Sequence, residues 1–258
     1  MDRRQRLFRH RIGQHYRRLR FWVFTLLCLS LGGKAFCEDR KSGYEYMGRD
    51  TREMQDDDTA NPAMLWVLDG EALFKRDCAG CHARGMKGVA VRYPALHKGK
   101  LVNLEQRVNA CRAEKQKAAP FPYESRELLA LTAYIGQQSR GLPIRISASA
   151  DTKPYLDAGR ALFNRPQGQI NLSCAQCHEA NPGKHLAGSV IPEGHPTGYP
   201  IYRLEWQNVG SLQRRLRNCL IGMRAEPYDF GAPELVNLEL FLLWRAREMK
   251  METPAVRP

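Results

Sequence analysis

Cys78-Ala79-Gly80-Cys81-His82 and Cys174-Ala175-Gln176-Cys177-His178 are two copies of one pattern, C-x-x-C-H, set 96 residues apart in a chain of 258. This is the pattern of c-type haem attachment. Two thiols add across the two vinyl groups of one porphyrin, so they must reach adjacent edges of the ring. The histidine that follows then sits under the iron as its proximal ligand. A C-x-x-C disulfide of the thioredoxin kind needs a βαβ pattern around it, and the sequence carries none. A zinc site made from both pairs would leave a histidine after each to coincidence. Two covalently bound haem c groups are therefore expected. Cys78, Cys81, Cys174 and Cys177 attach them, and His82 and His178 bind the irons.

The surroundings of the two motifs match as well. Gly70-Glu-Ala-Leu-Phe74 precedes the first and Gly159-Arg-Ala-Leu-Phe163 the second. After each motif comes a segment of helical pattern with a lone cysteine, Asn103 to Arg112 with Cys111 and Ser211 to Leu220 with Cys219. A helix closes each unit, from Ser125 to Ser139 and from Pro233 to Met249, with apolar residues at mixed i+3, i+4 and i+7 spacing. Pro233 suits a first helical turn. Asn61 reads as the cap of a helix that begins near Pro62 and runs from Met64 to Arg76. No alternating apolar run is long enough for a sizeable sheet. The expected fold is mostly α, with two cytochrome c-like haem domains related by an internal repeat, 36–147 and 148–258. Leu142 to Lys153, without periodicity, reads as the linker.

The net charge of +13 first suggests nucleic acid or a membrane surface. Most of it sits at the N-terminus. Eight arginines and Asp2 fill residues 1–20, the apolar run Phe21 to Leu31 follows, and Gly33-Lys34-Ala35 supplies a small-x-small site. A basic stretch, a short apolar stretch and a small-residue site describe a signal peptide over 1–35. At 11 residues this run is too short to span a bilayer. Without the leader the net charge falls to +5 and no basic run survives, which argues against a nucleic-acid groove. The expected compartment is the periplasm. Cys28 leaves with the leader, and Cys37 has no evident partner.

Each iron needs a sixth ligand or an open position. Electron-transfer cytochromes c use Met. Here each unit offers a cysteine in an equivalent place, Cys111, 29 residues after His82, and Cys219, 41 residues after His178. A thiolate donates density to ferric iron and lowers its potential. Other readings stay open. Both could be buried free cysteines, or form a Cys111–Cys219 disulfide, against which their places in separate units weigh. Met223, one turn past Cys219, and His97, His185 and His195 are rival ligands, whereas Met86 is too near His82 to fold back over the same haem. Arg214, Arg215, Arg217 and Arg224 surround Cys219, and cations favour a thiolate and attract a small anion. Arg215, at i−4, shares the helix face of Cys219. Arg107 stands at the same offset from Cys111, so this arginine alone does not separate a reactive site from a plain ligand.

Over nearly the whole mature length the chain resembles the SoxA family, the dihaem A subunits of sulfur-oxidising cytochrome complexes. The resemblance rests on Ser42-Gly-Tyr-Glu-Tyr46, Met54-Gln-Asp-Asp-Asp58, Asn61-Pro-Ala-Met-Leu-Trp66, Tyr93-Pro-Ala95, Asn103-Leu-Glu-Gln106, both haem motifs, Arg215-x-x-x-Cys219 and the Gly- and Pro-rich tract from Pro192 to Tyr202. It implies an L-cysteine S-thiosulfotransferase. Such a protein pairs with the monohaem subunit SoxX and joins thiosulfate oxidatively to a cysteine of the carrier SoxYZ. Two electrons pass through haem to cytochrome c. By resemblance, Cys219 ligates the second iron and carries a persulfide, Arg215 holds the substrate, and Cys111 ligates the first iron. Some relatives lack the first haem, but Cys78, Cys81 and His82 place this chain with the dihaem type. Two other functions fit a dihaem chain. A non-catalytic electron-transfer cytochrome needs no reactive cysteine, and a dihaem peroxidase needs a five-coordinate iron with a distal acid–base pair.

Overall fold

A computed structural model describes residues 40–146, 148–186 and 188–258. The leader, Cys28 and Cys37 lie outside the described residues. In the first half, α1 spans Arg49–Asp56, α2 Met64–Asp77, α3 Leu104–Cys111 and α4 Arg126–Gln137. In the second, α5 spans Lys153–Asn164, α6 Cys174–His178, α7 Leu212–Gly222 and α8 Pro233–Arg245. The fold is mostly helical, as expected. Its sheets are small: β1 (Ala95–His97) with β2 (Lys100–Val102), β3 (His185–Leu186) with β4 (Ser189–Val190), and β5 (Ile201–Arg203) between β6 (Asn208–Gly210) and β7 (Ala255–Arg257).

Local chemistry sets the helix ends. Asn103 and Ser125 cap α3 and α4, accepting from the amides of Gln106 and Leu128, and Ser211 caps α7 by accepting from Arg214. Pro233 opens α8 in its first turn. Asn61 acts slightly earlier than the sequence suggests. Its side chain accepts from the amide of Ala63 at 3.0 Å, and the helix proper starts at Met64. After Cys111 the chain widens into a π turn, Arg112–Gln116, where the sequence suggests only the end of a helix.

The G-x-A-L-F repeat has a packing cause. In the first half α2 crosses α4, and in the second α5 crosses α8. A Cβ on Gly70 would lie 2.0 Å from the carbonyl oxygen of Ala130, and one on Gly159 would lie 2.0 Å from that of Asn237. Only glycine lets the backbones approach so closely. One turn on, the phenylalanine of each motif meets an aromatic ring of the partner helix. Phe74 lies 5.2 Å from Tyr134 and Phe163 lies 5.3 Å from Phe241, centroid to centroid.

The halves interlock. Tyr202, Val209 and Val256, from the second half's strands, are buried against Trp66, Val67, Leu129, Ala130 and Ala133 of the first half's helix pair. Leu101 of β2 returns the arrangement and packs into the second half's core with Phe163 and Leu240. At about 1.5–3 kcal/mol for each fully buried large apolar side chain, these exchanged residues tie the stability of one half to the other. Residues Lys41–Pro258 accordingly form one compact unit. The tract expected as linker is part of this packing, since Ile144 is completely buried and its amide donates to the carbonyl of Met249.

Between the halves Tyr123 stacks on Phe230 at 5.7 Å. Beside them runs a polar seam. Buried Glu239 accepts from Asn103 at 3.0 Å and from Gln213 at 2.5 Å. Gln106 donates to the carbonyl of Gly231, whose amide donates to Gln213. Burial pushes Glu239 up to about 8, with a further push from Glu105, and burial pushes Glu105 itself up to about 7.

Candidate active site

The first centre is a cavity of about 460 Å³ between α2, α3 and α4. Cys78, His82 and Cys111 all line it, and Phe74, Leu104, Val108, Leu131 and Ile135 give it apolar walls. The cysteine at the end of α3 thus faces the same space as the histidine of the first haem motif. Cys81 is exposed. Arg92, Arg107 and Arg112 also line the cavity and bring positive charge to it. Gln116, at the end of the π turn, folds back to donate to the carbonyl of Asp77 at 2.7 Å and reaches Cys78 Sγ at 3.9 Å. Burial pushes the Cys78 thiol up, and the Gln116 contact offsets part of that.

The second centre gathers residues from three stretches of the chain. Ser173 caps α6, which presents Cys174, Cys177 and His178. The Pro192–Tyr202 tract wraps around it, and His178 Nδ1 lies 2.7 Å from the carbonyl oxygen of Pro192. A carbonyl is only an acceptor, so Nδ1 carries a proton there and Nε2 is left for the other side of the ring. From α7, Cys219 comes within hydrogen-bonding range of the His178 side chain. Arg215, one turn earlier, interacts electrostatically with Cys219 and Tyr199. Burial opposes ionisation of the Cys219 thiol. The His178 hydrogen bond and the charges of Arg215, His178 and Arg203 outweigh it and bring the thiol below its ordinary value. Cys174, lacking that company, is pushed up to about 11 by burial and by the neighbouring Cys219.

The structure therefore brings Cys174, His178, Arg215 and Cys219 together, and separately Cys78, His82 and Cys111. Cys111 and Cys219 are both free, so no disulfide joins them. Met223 is buried among apolar neighbours that include Leu220 and Leu235. His195 is buried with Nδ1 2.8 Å from the carbonyl of Lys41, and His185 is exposed on β3. His97 ends β1 near Glu114, at 3.9 Å. Arg203 and Tyr199 were not singled out from the sequence, yet both act electrostatically on the second centre. The signal for Tyr199 is the repeat itself, because Tyr199-Pro200 answers Tyr93-Pro94.

A family model described as SoxA/TsdA, cytochrome c domain, matches residues 69–144 and 158–251. A SoxA from Pseudaminobacter salicylatoxidans, named as a subunit of L-cysteine S-thiosulfotransferase, is 34% identical over 84% of this chain and 80% of its own length. The chain belongs to the SoxA family. A second SoxA, from Rhodovulum sulfidophilum, is 31% identical over 85% of this chain and 81% of its own. The crystal structure of SoxXA from P. pantotrophus shares the fold with a TM-score of 0.82 at 30% identity, covering 85% of this chain and 87% of that chain. Membership of a cytochrome c family implies haem c, and the SoxA residues here fit it. An apolar cavity that holds two sulfurs and an imidazole is suited to a porphyrin and its iron. Among the described residues, no helix is long and apolar enough to cross a membrane.

Proposed function

We propose that the chain is the catalytic subunit of an L-cysteine S-thiosulfotransferase, and that the work is done at the second centre. Support comes from one observation above the others. Cys219 is held beside the histidine of the second haem motif, with the guanidinium of Arg215 one helical turn away. In this reading residues 36–147 would hold the first haem c, with Cys78 and Cys81 to attach it and His82 and Cys111 to bind its iron. Residues 148–258 would hold the second, with Cys174 and Cys177 to attach it and His178 and Cys219 to bind its iron. Residues 1–35 direct the chain to the periplasm. Its partners are a monohaem SoxX subunit in a heterodimer, SoxYZ as sulfur carrier, thiosulfate, and cytochrome c as acceptor.

The chemistry joins two sulfur nucleophiles. The sulfane sulfur of thiosulfate and a carrier thiol form one S–S bond, the S–H bond breaks with its proton going to solvent, and two electrons leave for cytochrome c. Haem supplies a one-electron sink next to the sulfur. Arg215 offers a charge-assisted fork to the sulfonate. Cys219 presents a thiolate, or its reversible persulfide, to the incoming sulfur. The Pro192 carbonyl fixes the ring of His178 in one tautomer and orientation.

The test uses the haem-loaded chain with its SoxX partner. Cys219→Ala should reduce thiosulfate- and carrier-dependent reduction of cytochrome c to background. Persistence of that activity overturns the reading. Intact mass of the exported protein should report loss of the leader and two covalent haems.

A further inference from the structure

The repeat allows the two centres to be aligned position by position. A hairpin, an N-cap and a cysteine-bearing helix follow one another in each half: β1–β2, Asn103 and α3 in the first, and β5–β6, Ser211 and α7 in the second. Arg107 and Arg215 occupy the same place, four residues before Cys111 and Cys219. The strand that enters each hairpin ends on a different residue, His97 in the first half and Arg203 in the second.

That difference changes the charge of the site. His97 faces an acid, Glu114, which also binds Lys98 at 2.7 Å. Arg203 instead lies within electrostatic reach of Arg215 and Cys219, and it is only 7% exposed. One edge of its guanidinium is fixed. Nε donates to the main-chain oxygen of Pro258 at 2.8 Å, and Nη2 lies 2.9 Å from Glu205, whose side chain is mostly exposed. The guanidinium of Arg215 makes no hydrogen bond or ion pair among the described residues. Two like charges drawn out of water beside each other are unfavourable unless an anion is shared between them.

A sulfonate is such an anion. It has three acceptor oxygens in a pyramid, whereas one guanidinium edge pairs with two oxygens in a plane. Full recognition needs a second donor from another direction.

We infer that Arg203 is a second substrate-binding residue, which with Arg215 clamps the sulfonate end of thiosulfate and aims its sulfane sulfur at Cys219. This rests on the reading of the second centre given above and names what makes it selective for a dianion. At the first centre the position matching Arg203 is His97, beside Glu114, and Arg92 and Arg112, which line the cavity with Arg107, donate to the main-chain oxygens of Gly88 and Ala119, so the i−4 arginine is common to both sites while the clamp belongs to one.

The test is steady-state kinetics in thiosulfate on the haem-loaded complex with SoxX, at saturating carrier and cytochrome c. Arg203→Gln should raise KM for thiosulfate about tenfold to a hundredfold, the range of one or two charge-assisted hydrogen bonds, with a smaller change in kcat. Sulfate, an unreactive anion of the same shape, should lose potency as a competitive inhibitor in parallel. The spectrum of thiolate-ligated haem should be unchanged, and Arg203→Lys should recover part of the affinity. KM and sulfate inhibition within twofold of the parent, with that spectrum intact, overturn the clamp. Should Arg203→Gln not assemble, Arg203→Lys carries the test, because an ammonium keeps the charge and loses the fork. Its KM should rise about tenfold, and an unchanged KM overturns the proposal. If Cys219→Ala is inactive while Arg203 variants bind thiosulfate normally, the clamp alone is wrong. If Cys219→Ala stays active, the clamp falls with the larger reading.

Discussion

Cys111 and Cys219 sit at matching points of matching helices, each with an arginine one turn before it and a haem-motif histidine across from it. Their neighbourhoods diverge from there. After Cys111 the chain widens into a π turn, and Gln116 reaches back over Asp77 and Cys78. After Cys219 the helix runs on to Gly222. His97 beside the first centre is matched with Glu114, whereas Arg203 beside the second adds charge to Arg215. On the proposed reading the repeat supplies two equivalent ligand frames, and a few differences at the rim turn one of them toward an anionic sulfur substrate.

The largest expected effect tests that division directly. Cys219→Ser should cost at least about a thousandfold in thiosulfate-dependent turnover, on the scale of losing a reacting group. Cys111→Ser should shift the spectrum and potential of the first haem and cost less than about tenfold in turnover. Equal losses in the two variants would break the comparison. Parallel stopped-flow traces of cytochrome c reduction are the measurement.

A second experiment asks whether the halves are as tied together as their exchanged hairpins require. Gly70→Ala and Gly159→Ala each force a Cβ to within 2.0 Å of a carbonyl oxygen. Each should destabilise by about 3 kcal/mol, the upper end for overpacking. Each should also lower one shared unfolding transition in denaturant, read at both haems. A variant that melts only its own half would break the picture.

The seam between the halves gives a pH dependence. Burial holds Glu105 at about 7 and Glu239 at about 8, against an ordinary 4.5. The folded chain thus keeps protons that the unfolded chain releases. That contribution is complete below the unfolded value and is lost as pH rises through about 8. Stability should fall from pH 5 to pH 8, by at most about 1.4 kcal/mol per pH unit for each proton. Glu239→Gln should flatten the slope in thermal melts, and an unchanged slope would show that the seam does not titrate as described.

The smallest effect concerns Met223. It packs with Leu220 and Leu235, so Met223→Leu should cost less than about 1.5 kcal/mol and leave the second haem's spectrum unaltered. A changed axial-ligand band would restore methionine as the ligand.

What the sequence revealed follows from how local each feature is. The haem motifs are covalent patterns five residues long and could be read at once. The capped helices carrying Cys111 and Cys219 were legible because Asn103 and Ser211 act on amides three residues away. The G-x-A-L-F pair was visible as a repeat, but its cause was not, because the oxygens crowding Gly70 and Gly159 belong to helices 60 or more residues later. Arg203 was hidden for the same reason, since a hairpin turn, not helical spacing, carries it to Cys219. Glu239 reads in sequence as one more polar position on α8, and only the approach of Asn103 and Gln213 reveals it as a buried acid.

The reciprocal seating of the hairpins has an evolutionary consequence. A lineage could strip the first half of its iron and its ligands and still retain the polypeptide, because Trp66, Leu129 and Ala133 form the floor on which Tyr202 and Val256 rest. On this packing the backbone of that half is required by the other half, whatever redox group it would hold. Loss of a cofactor without loss of the fold that housed it is the path this architecture leaves open.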